Sequence, residues 1–99
     1  MHCLTVLYPH PDDEAAFRAY YEAKHVPLAA RLPGLKRYHF AYPEAVGPAD
    51  VFCIFQAYFD DGAAMGAAMQ SEIGQQVAAD VQHYSPKGAQ VVHFPIGER

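Results

Sequence analysis

The segment "VFCIFQAYF", residues 51–59, decides the fold, because it is the clearest β-strand in the sequence. It is apolar almost throughout and rich in the aromatic residues that strands favour. Alternation places successive side chains on opposite faces, here Val51, Cys53, Phe55, Ala57 and Phe59 against Phe52, Ile54, Gln56 and Tyr58. Because both faces are largely apolar, the segment predicts a sheet that is covered on both sides.

The segments on either side complete a known order of elements. Residues 2–9, 35–42 and 89–96 predict three further strands, and residues 11–25 and 60–84 predict helices. The order β-α-β-β-α-β is that of the ferredoxin-like fold. We therefore expect one α+β domain over residues 1–99, with a four-stranded antiparallel sheet and its helices on one face.

The second face of such a sheet has no helix to cover it. In the first strand Leu4, Val6 and Tyr8 alternate with Cys3, Thr5 and Leu7, so apolar side chains occur on both faces there as well. Soluble monomers avoid large exposed apolar patches. The pattern therefore predicts a homodimer in which two copies of the sheet cover each other.

Composition excludes several classes of function. The chain has 99 residues and a net charge of −4, with no run of Lys or Arg, so no nucleic-acid partner is expected. No apolar run approaches the roughly 20 residues that span a bilayer, so no membrane contact is expected. Cys3 and Cys53 both lie in strand-like runs and suit reduced core residues of a cytoplasmic protein. CxxC and HExxH motifs are missing, so no metal or cofactor is expected.

The segment "YYEAKHVPLAARLPGLKRY", residues 20–38, places a titratable ring beside a helix-breaking one. Pro27 has no N–H to donate and disfavours helical dihedrals in Val26, so we expect the helix to break or bend near His25. Tyr21 lies four residues before His25, which lets the phenol and the imidazole face the same way. Pro33 and Gly34 then end the helical region and turn the chain into the next strand.

Two interpretations of His25 stay open at this point. In the functional one, His25 is a general acid or base above an apolar cleft, because its pKa suits proton transfer near neutral pH. Tyr20 or Tyr21 would then assist by hydrogen bonding. In the structural one, His25 bonds a backbone carbonyl freed by the proline and only locks the kink. Phe17 and Leu28 share the helical stripe of His25 and are candidate substrate contacts.

Other polar residues are weaker candidates. Arg37 and His39 share one face of the second predicted strand and could hold an anionic oxygen, whereas Tyr38 lies on the opposite face. His93 could line the cleft from the last strand, and Met69 could supply an adaptable apolar wall. The second helical segment holds a further set, Asp80, His83 and Tyr84. The Asp80 carboxylate could orient the His83 imidazole, because the two residues lie at i, i+3 spacing. Each also has a simple packing or surface interpretation.

Residues 20–38 resemble the signature of the EthD family, named for a protein linked to ethyl tert-butyl ether degradation, and the likeness extends over residues 51–84. The resemblance implies a dimeric α+β barrel, in which two ferredoxin-like sheets pack together. It carries over the motif positions His25, Pro27, Leu28, Leu32, Pro33, Gly34 and Tyr38. Of these only His25 and Tyr38 can perform polar chemistry.

Two classes of function follow from the residues and the resemblance together. The first is a small cofactor-independent enzyme acting on an apolar or aromatic oxygenated metabolite, as a monooxygenase, isomerase or cyclase. It would use His25 as acid or base, with Tyr21, Tyr38 and Arg37 as polar assistants. The second is an accessory protein that binds a small apolar molecule without converting it, in support of a cytochrome P450-type system. The residues alone do not choose between them.

Overall fold

A computed structural model describes residues 1–97 of the chain. The strands are β1 (His2–Tyr8), β2 (Arg37–Ala41), β3 (Cys53–Phe59) and β4 (Gln90–Pro95). The helices are α1 (Glu14–Tyr20), α2 (Val26–Ala29), α3 (Gly62–Gln70) and α4 (Glu72–Asp80). A π-helical turn over Tyr21–His25 joins α1 to α2, and a 3-10 turn over Val81–His83 follows α4. Within the described residues, no helix is long and apolar enough to cross a bilayer.

The four strands form one antiparallel sheet in the order β2-β3-β1-β4. This order, with the helices on one face, confirms the predicted ferredoxin-like α+β fold. The register pairs Leu4 of β1 with Ala57 of β3 and with His93 of β4, so these three residues share a face of the sheet. We call it the inner face, because it packs against the helices. The opposite, outer face carries Cys3, Thr5, Arg37, His39, Gln56 and Tyr58.

The outer face is less apolar than its sequence pattern predicts. Its centre holds a polar chain in which His39 bonds Gln56 at 2.8 Å and Gln56 donates to Thr5 at 3.2 Å. Large apolar side chains occur towards the edge, where Val92 and Phe94 of β4 are 46% and 40% exposed. The face therefore combines a hydrogen-bonded centre with an exposed apolar margin.

Phe52 corrects the face assignment made from alternation. The predicted strand began at Val51, which sent Phe52 to the outer face together with Ile54. The strand instead begins at Cys53, so alternation does not extend to Phe52. The Phe52 ring packs edge-on against Phe17 of α1 at a centroid distance of 5.0 Å, in the core between sheet and helices.

Near His25, where the sequence predicted a break or a bend, the first helical region changes to a π turn and continues. Asp13 caps α1 by accepting a hydrogen bond from the Ala16 N–H. Val26 keeps helical dihedrals (φ −58°, ψ −45°), and its N–H donates to the Tyr21 carbonyl five residues earlier. Because Pro27 cannot donate the next bond, the helix widens by one residue into a π turn instead of ending. Pro27 then lies in the first turn of α2.

The second helical region is interrupted at Ser71 and restarts there. The Ser71 side chain accepts a hydrogen bond from the Gly74 N–H at 3.0 Å and caps α4. Gly74 has a specific role at this junction, because a Cβ there would overlap the carbonyl oxygens of Ala68 and Met69. Gly66, by contrast, has open space where a Cβ would lie. The two helix glycines are therefore not equivalent.

Alanine substitutions at these two glycines should change stability in opposite directions. Gly66→Ala should raise the free energy of unfolding by about 1 kcal/mol, because alanine favours a helix interior and meets no neighbour. Gly74→Ala should lower it by about 1–3 kcal/mol, because the backbone must move to admit the methyl group. Urea denaturation at constant m-value measures both. Equal effects of the two substitutions would contradict the close approach at Gly74.

Candidate active site

His25 closes the π turn and is only 3% exposed. Its Nδ1 lies 2.9 Å from Oδ2 of Asp80, the last residue of α4. A carboxylate can only accept, so the Nδ1 proton is donated to Asp80 and Nε2 carries the lone pair. No hydrogen bond to Nε2 occurs within residues 1–97. The imidazole is thus fixed at one nitrogen and available at the other.

Asp80 uses both of its oxygens in this arrangement. Oδ1 accepts the Tyr20 hydroxyl at 2.7 Å, while Oδ2 accepts from His25. Burial alone would raise the pKa of Asp80, but the hydrogen bonds from Tyr20 and His25 outweigh it and lower that pKa. Asp80 is therefore a carboxylate at neutral pH, held between two residues that flank the start and end of the π turn.

Burial also lowers the pKa of His25, and this effect outweighs the Asp80 carboxylate, which raises it. The imidazole is therefore neutral at pH 7, with a free lone pair on Nε2. Asp80 would stabilise the charge that appears when Nε2 takes a proton, as the carboxylate does in a Ser-His-Asp triad. The pair has the electrostatic arrangement of a general base.

An aromatic cluster surrounds the imidazole. Tyr21 stacks on His25 at a centroid distance of 5.6 Å with an angle of 17° between the planes, and the Tyr84 ring lies 4.6 Å away. The Tyr21 hydroxyl does not bond the imidazole. It is buried without a hydrogen-bond partner among the described residues, and the neighbouring Cys53 thiol does not meet hydrogen-bond geometry. Tyr21 thus contributes its ring to the site.

Tyr8 of β1 and Tyr84 form a second polar contact in this cluster. Their hydroxyl oxygens lie 2.7 Å apart in a buried position. Burial raises the pKa of both phenols well above the ordinary value, so both keep their protons. Sequence reasoning assigned Tyr8 no role beyond its place on the strand.

A cavity of about 90 Å³ lies between the sheet and the helices beside His25. Its surface is apolar throughout, since His25 and Tyr8 present no polar atom to it, and its other walls include Leu4, Phe55, Leu32, Met69, Val77 and Val91. A cavity of about 150 Å³ accepts benzene. The enclosed space therefore suits a smaller apolar group, and a larger molecule would extend outward past Val91, which is 57% exposed.

A larger cavity of about 230 Å³ lies on the other side of Tyr84, between the loop after β1 and the turn before β4. Phe17 and His83 contribute to it, but His25 does not. Lys87 spans its rim, bonding Asp12 and the His10 carbonyl at 3.0 Å each. We place the candidate site at the smaller cavity, because the His25 side chain lines it and does not line the larger one.

The structure brings five of the sequence-predicted residues together. His25, Tyr21 and Phe17 pack in the aromatic cluster, Tyr20 bonds the partner of His25, and Met69 lines the cavity. Leu28 is half-buried in α2, and it is Leu32 that reaches the cavity wall. Tyr38 lies on the inner face at 39% exposure and stacks on Phe55, one side chain removed from the cavity.

Three other sequence-predicted residues lie elsewhere. Arg37 is on the outer face over the Tyr58 ring, with its guanidinium carbon 4.1 Å from the ring centroid. His39 is on the same face and bonds Gln56. The sheet separates both from His25. His93 shares the inner face with Val91, but its Nδ1 lies 2.9 Å from Nε2 of His2 in an exposed position.

Asp80 is the main site residue that sequence reasoning assigned to the wrong partner. Its i, i+3 spacing suggested a pairing with His83, whereas it pairs with His25, 55 residues away. His83 instead stacks on Tyr20 at 6.2 Å. No local signal reports such a contact; only the docking of α4 beside the π turn creates it. Among residues 1–97, no three His, Cys, Asp or Glu side chains come together in a way that could hold a metal ion.

Comparison with known proteins places this geometry in a family. A family model described as the EthD domain matches residues 10–87. The chain is 37% identical over 90 residues to an uncharacterised 11.0 kDa protein of the thcB-thcC intergenic region of Rhodococcus erythropolis, covering 89% of this chain and 87% of that one. It is also similar to the crystal structure of an EthD-family protein from Bacillus halodurans, with a TM-score of 0.89, 24% identity and coverage of 98% and 99%.

Two more distant structures share the fold. One is a dimeric ferredoxin-like protein of unknown function from Thermobifida fusca, with a TM-score of 0.72, 14% identity and coverage of 96% and 89%. The other is SnoaB, a cofactor-independent oxygenase from Streptomyces nogalater, with a TM-score of 0.68, 18% identity and coverage of 99% and 93%. The family model spans more than half of the chain, so this protein belongs to the EthD family.

Proposed function

We propose that this EthD-family chain is a cofactor-independent enzyme whose His25 removes a proton from an apolar or aromatic oxygenated metabolite. One observation carries the proposal. His25 is held by Asp80 at Nδ1, while its unbonded Nε2 belongs to a side chain that lines an apolar cavity. Oxygenation, isomerisation and cyclisation of such metabolites can share proton removal as a first step. SnoaB, which has the same fold, is a cofactor-independent oxygenase.

The residues take distinct roles in this proposal. His25 is the catalytic base, and Asp80 and Tyr20 are positioning residues that act through it. Met69 contacts the apolar part of the substrate, with Phe17 and Tyr21 supporting the imidazole from behind. Arg37, His39, Tyr38, Leu28 and His93 receive no role at this cavity. A positioned general base contributes about 10²–10⁴-fold to a rate, which sets the scale for testing.

A binding protein without turnover is the competing function. It is favoured by the surface of the cavity, which is apolar throughout, even where His25 and Tyr8 line it. In that case Asp80 and His25 would serve to hold α4 against the π turn. Such a protein could carry a small apolar molecule for a degradation pathway, and the D₂O experiment below distinguishes the two functions.

We further propose that the active form is a homodimer joined through the outer face of the sheet, in the cytoplasm. The exposed margin formed by Val92 and Phe94 is the apolar surface that a second copy would cover. The polar chain of His39, Gln56 and Thr5 would then lie inside the dimer with its hydrogen bonds already made. The Thermobifida fusca protein of the same fold is described as dimeric.

Proton abstraction can be measured before the natural substrate is known. In D₂O, wild-type protein should accelerate exchange of the acidic protons of small ketones and lactones, followed by NMR. His25→Gln should lower the rate about 10²–10⁴-fold, and Asp80→Asn and Tyr20→Phe should lower it less, because the imidazole remains. His83→Gln is the matched control and should keep the wild-type rate. Saturable binding by wild type and His25→Gln alike, without exchange, would establish the binding function instead.

Stability should fall on acidification because of the His25–Asp80 pair. The pKa of His25 is lowered on folding, so below its ordinary value of about 6.5 the unfolded chain binds a proton that the folded chain does not. The pKa of Asp80 is also lowered, and its contribution is lost at lower pH, below about 4. The free energy of unfolding should therefore decrease from pH 7 to 5. His25→Gln should flatten that slope and His83→Gln should not; equal slopes would contradict burial of a neutral imidazole.

The dimer makes a separate prediction. Light scattering at micromolar concentration should give twice the mass of one chain. Phe94→Glu should shift the protein towards monomer, since it places a charge on the apolar margin of the outer face. Val46→Glu, on a fully exposed loop position, is the control and should leave the mass unchanged. A monomeric wild-type protein would exclude association through the sheet.

A further inference from the structure

The larger of the two cavities has the size and the lining of a site for one aromatic ring. Two buried aromatic side chains line it, Phe17 and Tyr84, and their rings meet edge to face at a centroid distance of 5.1 Å. Proline rings, which have no N–H to leave unpaired, form a further part of the lining: Pro9, Pro11 and Pro86. A cavity of about 150 Å³ accepts benzene. The volume of about 230 Å³ therefore admits a benzene ring with one or two small substituents.

Unlike the smaller cavity, the larger one also presents polar atoms at its surface. Lys87 lines it from the turn before β4 and Asp12 from the loop after β1, and Nζ meets Oδ1 at 3.0 Å across the rim. The ammonium has three N–H groups, of which Asp12 and the His10 carbonyl take two. The Asp12 side chain is 94% exposed and makes only this contact among the described residues. The rim therefore offers a spare donor next to a spare acceptor.

The charges at the rim favour a neutral ligand. An aromatic carboxylate would be attracted by Lys87 but repelled by Asp12 and by Asp13, which also lines the cavity. An aromatic ammonium ion would meet the like charge of Lys87. A neutral hydroxyl group avoids both repulsions, because it can accept from the ammonium while it donates to the carboxylate. A phenol has a pKa of about 10 and so keeps its hydroxyl proton at pH 7.

We propose that the larger cavity binds a neutral monocyclic phenol, with its ring against Phe17 and Tyr84 and its hydroxyl between Lys87 and Asp12. The ion pair can admit the hydroxyl at little cost, because ion pairs as exposed as this one contribute little to stability. The site is separate from the proposed base, since His25 does not line this cavity. It goes beyond the proposed function and holds whether or not His25 removes a proton.

Calorimetric titration with 4-methylphenol and two related ligands tests the site on the wild-type protein. At pH 7 the protein should bind 4-methylphenol saturably. Toluene, which lacks the hydroxyl, should bind about tenfold more weakly, because it makes no hydrogen bond at the rim. 4-Methylbenzoate should also bind about tenfold more weakly than the phenol, because its charge faces Asp12 and Asp13. This ligand series needs no variant, so it decides the assignment even where a substitution unfolds the protein.

Substitutions locate the ring and its hydroxyl. Lys87→Met keeps the length of the side chain and removes the ammonium, so it should weaken phenol binding about tenfold and leave toluene binding unchanged. Ala16→Leu should block both ligands, because Ala16 lines the cavity from an exposed helix position that leucine suits. Lys36→Met is the matched control, since Lys36 forms a similar exposed ion pair with Asp60 at 3.4 Å and does not line the cavity. This variant and His25→Gln should bind the phenol as wild type does. Circular dichroism checks that each variant is folded.

Four results would overturn the assignment. The first is the absence of saturable 4-methylphenol binding, and the second is toluene or 4-methylbenzoate binding as tightly as the phenol. The third is an unchanged phenol affinity in Lys87→Met. The fourth is unchanged binding in Ala16→Leu, which would put the ligand elsewhere. None of these results bears on the proposed base, because deuterium exchange is followed on ketones and lactones.

Discussion

The hydrogen bond between His25 and Asp80 is the contact on which the candidate site depends. It joins the π turn to the end of α4, two elements 55 residues apart in the chain. Without it a nearly buried imidazole would lose the acceptor for its Nδ1 proton, and Asp80 would keep only Tyr20. Each remaining feature of the site follows from this contact: the tautomer of His25, the free Nε2 and the placement of the ring among Tyr21 and Tyr84.

The position of the imidazole begins with a backbone constraint. Pro27 cannot donate an amide hydrogen bond, and a proline inside a helix usually kinks or ends it. Here the helix continues with one wider turn, and Tyr21 and His25 stack across it. Wider turns of this kind are uncommon and occur often at functional sites. The proline, although it touches neither cavity nor carboxylate, thus helps to set where the base lies.

Much of the fold was predictable because strand alternation and helix capping are local properties. The order of elements and the two-faced strands both followed from residues close together in sequence. Phe52 was misplaced because the start of β3 depends on packing, which alternation does not report. Asp80 was given the wrong partner for a related reason: i, i+3 spacing proposes a neighbour on the same helix, whereas the carboxylate bonds a residue brought to it by tertiary docking. Whether the predicted site residues act in catalysis stays a prediction.

The structural and functional interpretations of His25 differ in what they require of Nε2. A histidine that only fastened α4 to the π turn would need one hydrogen bond, and Nδ1 supplies it. Nothing in that role calls for the second nitrogen to remain unbonded in a residue that lines a cavity. The unbonded nitrogen is what a fastening role leaves unexplained and what a proton-abstracting role would use.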